Sequence, residues 1–395
     1  MHAIFPQPVS PVDPALERRW DIFCRLVDNM GDIGVCWRLA RVLALYHGRR
    51  VRLWVDDVEA FWRLCPDADR ESDPVVFDGV EVRRWLEPFP STDCADVVIE
   101  AFACDPPAAY VETMASRSPS PLWINLEYLT AESWIDGIHG MASPHPRLPL
   151  TKRFFFPGFS PASGGLLREP GLLAERDRFV ADRTGAEAFL NGLVCDLGKQ
   201  ETLRVSLFSY EQPRLPELMS VWASGDRPIQ LIVPEGRVTA DVARFFGRNS
   251  FAAGEQASSG ALSISVVPFM SQRDYDRLLW CCDLNFVRGE DSFVRAQWAV
   301  RPFVWHIYAQ DENAHRVKLE AFLARYLAGV GDSLAGPVRD FWLAWNGYGD
   351  IASSWPAFVS TMSALSDHAK AWADGLAASE DLVSGLVKFD EVSVK

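Results

Sequence analysis

Strand-like and helix-like segments alternate along this chain in two successive series, and that double alternation constrains the fold more than any other feature. From Trp20 to Val27 the residues are extended and apolar, a polar loop with glycines follows, and Val35 to Tyr46 repeats apolar residues at helical spacing. Strand patterns then recur at Val51–Val55, Val80–Trp85, Val97–Phe102 and Leu122–Leu126, with a helix around Val58–Leu64. Such βα alternation predicts a parallel sheet covered by helices on both faces.

Between Ser143 and Gly171 the text changes to S-P-H-P-R-L-P and F-F-F-P-G-F-S-P-A-S-G-G, which predicts loops at a domain edge before a polar helical stretch from Leu172. A second series follows, with strands at Leu203–Phe208, Ile229–Val233, Leu262–Val267, Leu284–Val287 and Phe303–Ile307. Helices at Leu215–Ala223, Ala240–Phe246, Asp274–Cys281 and Ser292–Val300 alternate with them, and residues 312–386 read as largely helical. The expected architecture is α/β, with two doubly wound domains and a helical C-terminal region. Its divisions are a flexible N-terminal tail at 1–19, a first domain at 20–185, a second at 186–370, and a C-terminal helix or tail at 371–395 that packs back on the first domain. Ligands of such sheets sit beyond the carboxyl ends of the strands, so the site is expected in the cleft between the domains.

Composition narrows the function classes. No run approaches the roughly 18–20 apolar residues that span a bilayer, and the proline-bearing first twenty residues lack an export signal's basic start and apolar run, so no membrane role is expected. The eight cysteines are scattered without a C-x-x-C pair, which predicts reduced thiols and a cytoplasmic protein. A net charge of −14 without a Lys/Arg-rich block disfavours nucleic acid as a partner and fits a cationic target better. The dinucleotide fingerprint, P-loop, nucleophile elbow and zinc spacings are all missing, so no cofactor and no metal is expected.

Two strand-following loops carry chemistry. In V-D-N-M-G-D-I-G, Asp28 ends the first strand and Asp32 lies four residues on, with Gly31 and Gly34 allowing a tight turn. The two carboxylates can face one cleft, or Asp32 can simply cap the helix while Asp28 makes a turn. The second loop, R-G-E-D-S, follows Val287 and offers a helix N-terminus beside Arg288, a pair suited to a diphosphate; an N-cap by Asp291 or Ser292 is the plain alternative. Upstream, Phe269 just after another strand is placed to stack on a base, with Gln272 able to bond its polar edge, although Phe269 can equally be core. His306 and His315 flank a strand–helix junction and are expected to be structural.

Together the segments V-D-N-M-G-D-I-G-V-C-W-R-L-A-R, L-W-V-D-D, D-V-V-I-E-A-F-A-C, N-L-E-Y-L, F-F-F-P-G-F, G-G-L-L-R-E, D-L-N-F-V-R-G-E-D-S-F-V-R-A-Q-W-A and F-V-W-H-I-Y-A-Q-D-E-N resemble the EarP family, the protein-arginine rhamnosyltransferases that modify translation elongation factor P. The resemblance covers nearly the whole chain from Trp20. It implies a GT-B glycosyltransferase that moves L-rhamnose, with inversion, from dTDP-β-L-rhamnose to one arginine of elongation factor P. It also implies roles at matching positions. Asp32 corresponds to the general base, Asp28 to the partner that holds the acceptor guanidinium, and Glu290 to a required glutamate. Phe269 corresponds to the residue stacking on thymine, with Gln272 and Tyr210 beside it. Arg288, Gly289, Asp291 and Ser292 lie on the diphosphate segment, and Asn29 and Gly31 complete the donor contacts. Met30 stands where the family commonly has an aromatic residue. A different donor or acceptor, a nucleotide-sugar epimerase, or a non-catalytic nucleotide-sugar-binding protein are the competing readings on the same two-domain plan.

Overall fold

The structure is a computed structural model that describes residues 18–27, 30–194, 201–310 and 313–393. The chain divides into two compact units. One holds the described residues up to Leu172 together with those from Ala377 onward, and the other holds Leu173–Leu376.

The first unit is built on eight strands: β1 (Arg19–Cys24), β2 (Arg50–Val55), β3 (Val75–Phe77), β4 (Val80–Arg84), β5 (Val97–Ala101), β6 (Leu122–Leu126), β7 (Ala142–Pro144) and β8 (Thr151–Phe155). Their order is β3-β4-β2-β1-β5-β6-β8-β7, and all pairs are parallel except the two edge hairpins. Helices α1 (Gly31–His47), α2 (Val58–Leu64) and α3 (Ala108–Ser116) join them. β1 and β5 are buried almost throughout, as strands sandwiched between helices require. Because β2 flanks β1 on one side and β5 on the other, the chain reverses its direction of sheet growth at β1, the switch point beside which ligands of such sheets bind.

A polar lock sits inside this apolar sheet. Asp21 of β1, fully buried, receives the Arg52 guanidinium of β2 through Nε at 2.7 Å and Nη2 at 2.5 Å, and the Tyr110 hydroxyl of α3 at 2.5 Å. Arg52 also donates to the Asp93 carbonyl at 2.8 Å. Asp21 and Arg52 are register partners, so the pair specifies one alignment of β1 on β2.

The second unit opens with α4 (Leu172–Ala181) and α5 (Arg183–Leu193) and continues through β9 (Leu203–Leu207), α6 (Leu215–Ser224), β10 (Ile229–Pro234), α7 (Thr239–Phe245), β11 (Gln256–Ser259), β12 (Leu262–Val267), α8 (Gln272–Cys281), β13 (Leu284–Arg288), α9 (Asp291–Trp298) and β14 (Phe303–His306). Its sheet order is β11-β12-β10-β9-β13-β14, with the same reversal of growth, here between β9 and β13. Four helices close it: α10 (Ala314–Tyr326), α11 (Asp332–Trp345), α12 (Ile351–Ser360) and α13 (Met362–Ala377). The last helix, α14 (Leu382–Ser393), belongs to the first unit, where it packs on α1. There Asp390 pairs with Arg18 at 2.8 Å and the Phe389 ring meets Phe155 edge-on.

Several expectations need correction. The division falls after Leu172 rather than at 185/186, because α4 is fastened to the second unit: Arg176 donates to the Trp298 carbonyl at 2.9 Å and the Phe179 ring packs on Trp280. Residues 371–376 continue α13 instead of starting a separate tail. The segment from Ser143 read as loops contains β7 and β8, and β8 extends the parallel sheet beside β6. Of the expected 1–19 tail, residues 1–17 lie outside the described residues, whereas Arg18 is held by Asp390 and Arg19 begins β1. The seven described cysteines are free thiols.

Removing one partner of a buried ion pair strands the other charge, so Asp21→Ala should destabilise the first unit by about 3–5 kcal/mol. Urea unfolding monitored on that unit measures this, and a loss under ~1 kcal/mol would mean that Arg52 finds another counter-charge.

Candidate active site

In the first unit, the candidate residues lie beyond the carboxyl ends of β1, β5 and β6. After β1 the chain runs through Val27 into α1, whose N-cap is Met30 with no side-chain cap bond. Asp32 is therefore in the first turn of the helix, where the macrodipole favours an anion. It is 3% exposed, and its carboxylate does not act as the N-cap. Its Oδ2 accepts the Val27 N–H at 2.8 Å, and its Oδ1 accepts the Tyr128 hydroxyl at 3.3 Å. Asp28 and Asn29 lie outside the described residues, and Gly31 is the first residue of α1.

Tyr128 comes from the loop after β6, and its ring stacks on Phe102 at 4.4 Å between centroids and 15° between planes. Phe102 itself follows β5 with φ +57°, Ala103 has φ +54° and Asp105 φ +50°. Side chains with a Cβ pay about 1–2 kcal/mol for such left-handed backbone, so three in one loop mark a conformation imposed from outside. The restraints are visible. Phe102 N–H donates to the Leu126 carbonyl at 2.7 Å, Ala103 N–H to Asn125 Oδ1 at 3.2 Å, and the Cys104 thiol to the Phe23 carbonyl at 3.3 Å.

In the second unit, the candidate residues lie beyond β9, β12 and β13. The turn from β13 into α9 uses Gly289 at φ +59°, a left-handed residue pinned by the Trp305 indole N–H on its carbonyl at 2.9 Å. Glu290 is the N-cap, without a side-chain cap bond, so Asp291 and Ser292 are the first helical residues rather than caps. The Ser292 hydroxyl donates to the Arg288 carbonyl and accepts the Arg288 N–H at 2.9 Å, which folds the turn on itself. Arg288 lays its guanidinium over the rings of Phe208 at 4.5 Å and Tyr210 at 4.9 Å, an arrangement that fixes a cation in place. Gln272, the first residue of α8, reaches Asp291 Oδ2 with Nε2 at 3.4 Å. Phe269 is half-buried beyond β12, its N–H directed to Glu235 Oε2 at 3.4 Å.

The structure thus gathers Tyr210, Gln272, Arg288, Gly289, Asp291 and Ser292 around one helix N-terminus, with Glu290 at its cap, while Phe269 lies beyond β12, separated from β13 in the sheet by β10 and β9. It adds three residues that sequence reasoning left without a role. Tyr128 and Phe102 stood only inside quoted motifs, although the rule that ligands lie beyond strand ends pointed at both. His306, read as structural, ends β14 directly opposite Arg288 in register. Its Nδ1 shares a 2.7 Å hydrogen bond with the Ser209 hydroxyl, and its ring meets Tyr210 edge-on at 5.4 Å. Burial, then the positive charge of Arg288 and the neighbouring His315, push its pKa down to about 4. Among the described residues, no group of three or more His, Cys, Asp or Glu side chains is placed to hold a metal ion, and no helix is long and apolar enough to cross a membrane.

Residues 20–391 match the family described as "Elongation-Factor P (EF-P) rhamnosyltransferase EarP". A protein-arginine rhamnosyltransferase of Pseudomonas putida is 50% identical over 374 residues, 95% of this chain and 99% of the relative. One of Pseudomonas aeruginosa is 51% identical over 370 residues, 94% and 98%. A solved structure, described as the structural basis for EarP-mediated arginine glycosylation of translation elongation factor EF-P, superposes with a TM-score of 0.70 at 38% identity, covering 95% of this chain and all of that one.

A histidine held neutral in the fold but free to charge when unfolded costs stability as pH falls. Above pH ~6.5 the ring is neutral in both states; between ~6.5 and about 4 the unfolded chain alone binds the proton; below that range the full penalty applies. Stability of the second unit should therefore drop from pH 7 to 5 by more in the wild type than in His306→Asn. NMR of the imidazole should find its midpoint near 4, and a midpoint near 6.5 would show the ring open to water.

Proposed function

Since the chain belongs to the elongation factor P rhamnosyltransferase family, and is thus a protein-arginine rhamnosyltransferase with two Rossmann-like units of the GT-B kind, we propose that it transfers L-rhamnose from dTDP-β-L-rhamnose to one arginine of elongation factor P in the cytoplasm. The observation that carries the reading is Asp32, a buried carboxylate held through both oxygens in the first turn of α1.

Arginine is a poor nucleophile because its guanidinium stays protonated above pH ~12 and its nitrogen lone pairs are delocalised. As a guanidinium nitrogen attacks the anomeric carbon, that nitrogen becomes acidic, and Asp32 accepts its proton. The new C–N bond forms while the bond from carbon to the diphosphate oxygen breaks, and its electron pair leaves with dTDP. The product arginine keeps one positive charge, because the proton lost to Asp32 balances the bond gained. A single in-line displacement inverts the carbon. Asp28 grips the guanidinium fork and turns one nitrogen toward the sugar.

On the donor side, Phe269 stacks on thymine, with Gln272 and Tyr210 beside it. Arg288, Gly289 and the backbone N–H groups at Asp291 and Ser292 meet the charge that develops on the departing diphosphate, so no metal enters the step. Glu290 at the cap bonds the ribose hydroxyls, and Asn29 and Gly31 complete the donor contacts. The aromatic clamp on Arg288 supports this assignment, since the faces of Phe208 and Tyr210 hold the guanidinium in place.

Elongation factor P incubated with dTDP-β-L-rhamnose and the enzyme should gain one deoxyhexose by intact mass. Asp32→Asn should abolish that product while dTDP affinity stays within a few fold; loss of nucleotide binding would instead reassign Asp32 to the donor. For Phe269→Ala, calorimetry should find dTDP bound about 1–3 kcal/mol more weakly, and unchanged affinity would return the ring to the core.

A further inference from the structure

We infer that Tyr128 is a positioning residue for the transfer step: its hydroxyl, carried on a ring clamped against Phe102, fixes the plane of the Asp32 carboxylate in which the acceptor's proton is taken. This rests on the reading of Asp32 as the base.

A carboxylate on a short side chain has a broad, nearly two-fold torsion about its last bond, so one hydrogen bond leaves its plane loosely set. The Val27 N–H bond to Oδ2 is local, made only five residues away on the same loop. The Tyr128 bond to Oδ1 arrives from the end of β6, 96 positions along the chain and two strands across the sheet. Two donors from independent elements, one on each oxygen, fix the plane of the carboxylate more closely than one.

The hydroxyl can serve as a fixed post only if its ring is fixed. Stacking on Phe102 supplies that, and Phe102 is held in a left-handed conformation by a 2.7 Å bond from its N–H to the Leu126 carbonyl. The same bond links the loop after β5 to the last residue of β6, just ahead of the loop that carries Tyr128, so the clamp and the post move together. Backbone in this region is disfavoured for a phenylalanine, and such outliers collect where geometry serves a site. Tyr128 is only half-buried and its hydroxyl meets a carboxylate, so core packing does not account for its choice over phenylalanine.

Tyr128→Phe keeps the ring and its stack and deletes only the oxygen. In steady-state transfer to elongation factor P it should lower kcat about ten- to a hundredfold, as small misplacements of reacting groups do. KM for elongation factor P, dTDP affinity and the thermal midpoint should stay close to wild type. Phe102→Leu, which loosens the ring but keeps the hydroxyl, should lower kcat by less in the same sense. An unchanged kcat in Tyr128→Phe, or a loss seen only in KM, overturns the positioning role while leaving Asp32 as base. Full turnover by Asp32→Asn overturns the base and the positioning role together.

Discussion

The parallel pairing of β1 with β5 and of β9 with β13 governs where chemistry can occur in each unit. At each of these junctions the sheet stops growing in one direction and starts in the other, so neighbouring loops diverge and open a crevice. Asp32, Phe102, Tyr210 and the Gly289–Ser292 turn follow the junction strands, Arg288 is the last residue of one of them, and Tyr128, Phe269 and Gln272 follow the carboxyl ends of other strands of the same two sheets. The Asp21–Arg52 lock matters for the same reason: a slip of β1 against β2 would turn every β1 side chain to the other face and displace the turn that carries Asp32.

The candidate residues of the two units solve opposite electrostatic problems, each within its own unit. Around Asp32 the sequence keeps an anion out of water by surrounding it with donors and a helix N-terminus. Around Arg288 it keeps a cation in place with aromatic faces, which attract the charge without cancelling it. A second cation beside Arg288 would be repelled, which is part of why His306 is held neutral although it stands directly across the β13–β14 register. A neutral ring can still share its hydrogen bond with Ser209 and brace Tyr210, so it supports the clamp without adding a second charge beside Arg288.

Much of this was legible before any coordinates, because buried parallel strands write themselves as apolar runs and the loops after them stand out as polar text. The doubled α/β plan, Asp32, and the R-G-E-D-S turn were all readable that way. The β7–β8 hairpin was not, since Pro144, His145 and Pro146 look like loop while the pairing that makes β8 a strand comes from β6, far along the chain. The division after Leu172 was hidden because α4 is mostly polar, and its attachment rests on a few contacts such as Phe179 with Trp280. Tyr128 was quoted without a role because its partner is 96 positions away, and no local pattern announces a hydrogen bond between separate strand ends.

The hydrogen bonds on Asp32 look at first like a handicap for a base, since each donor that stabilises a carboxylate makes it a weaker proton acceptor. Basicity is not what this reaction lacks. An ordinary aspartate, at a pKa of ~4, falls about eight units short of a guanidinium, and a gap of that size, about 11 kcal/mol, cannot be closed by baring the carboxylate. In the proposed step the proton moves only once the C–N bond has begun to form and the nitrogen has become acidic, so what counts is that an oxygen already lies on the line of departure. Donors that trade a little basicity for a fixed orientation are then the better arrangement, and the strained loop behind Phe102 is the structural cost of maintaining it.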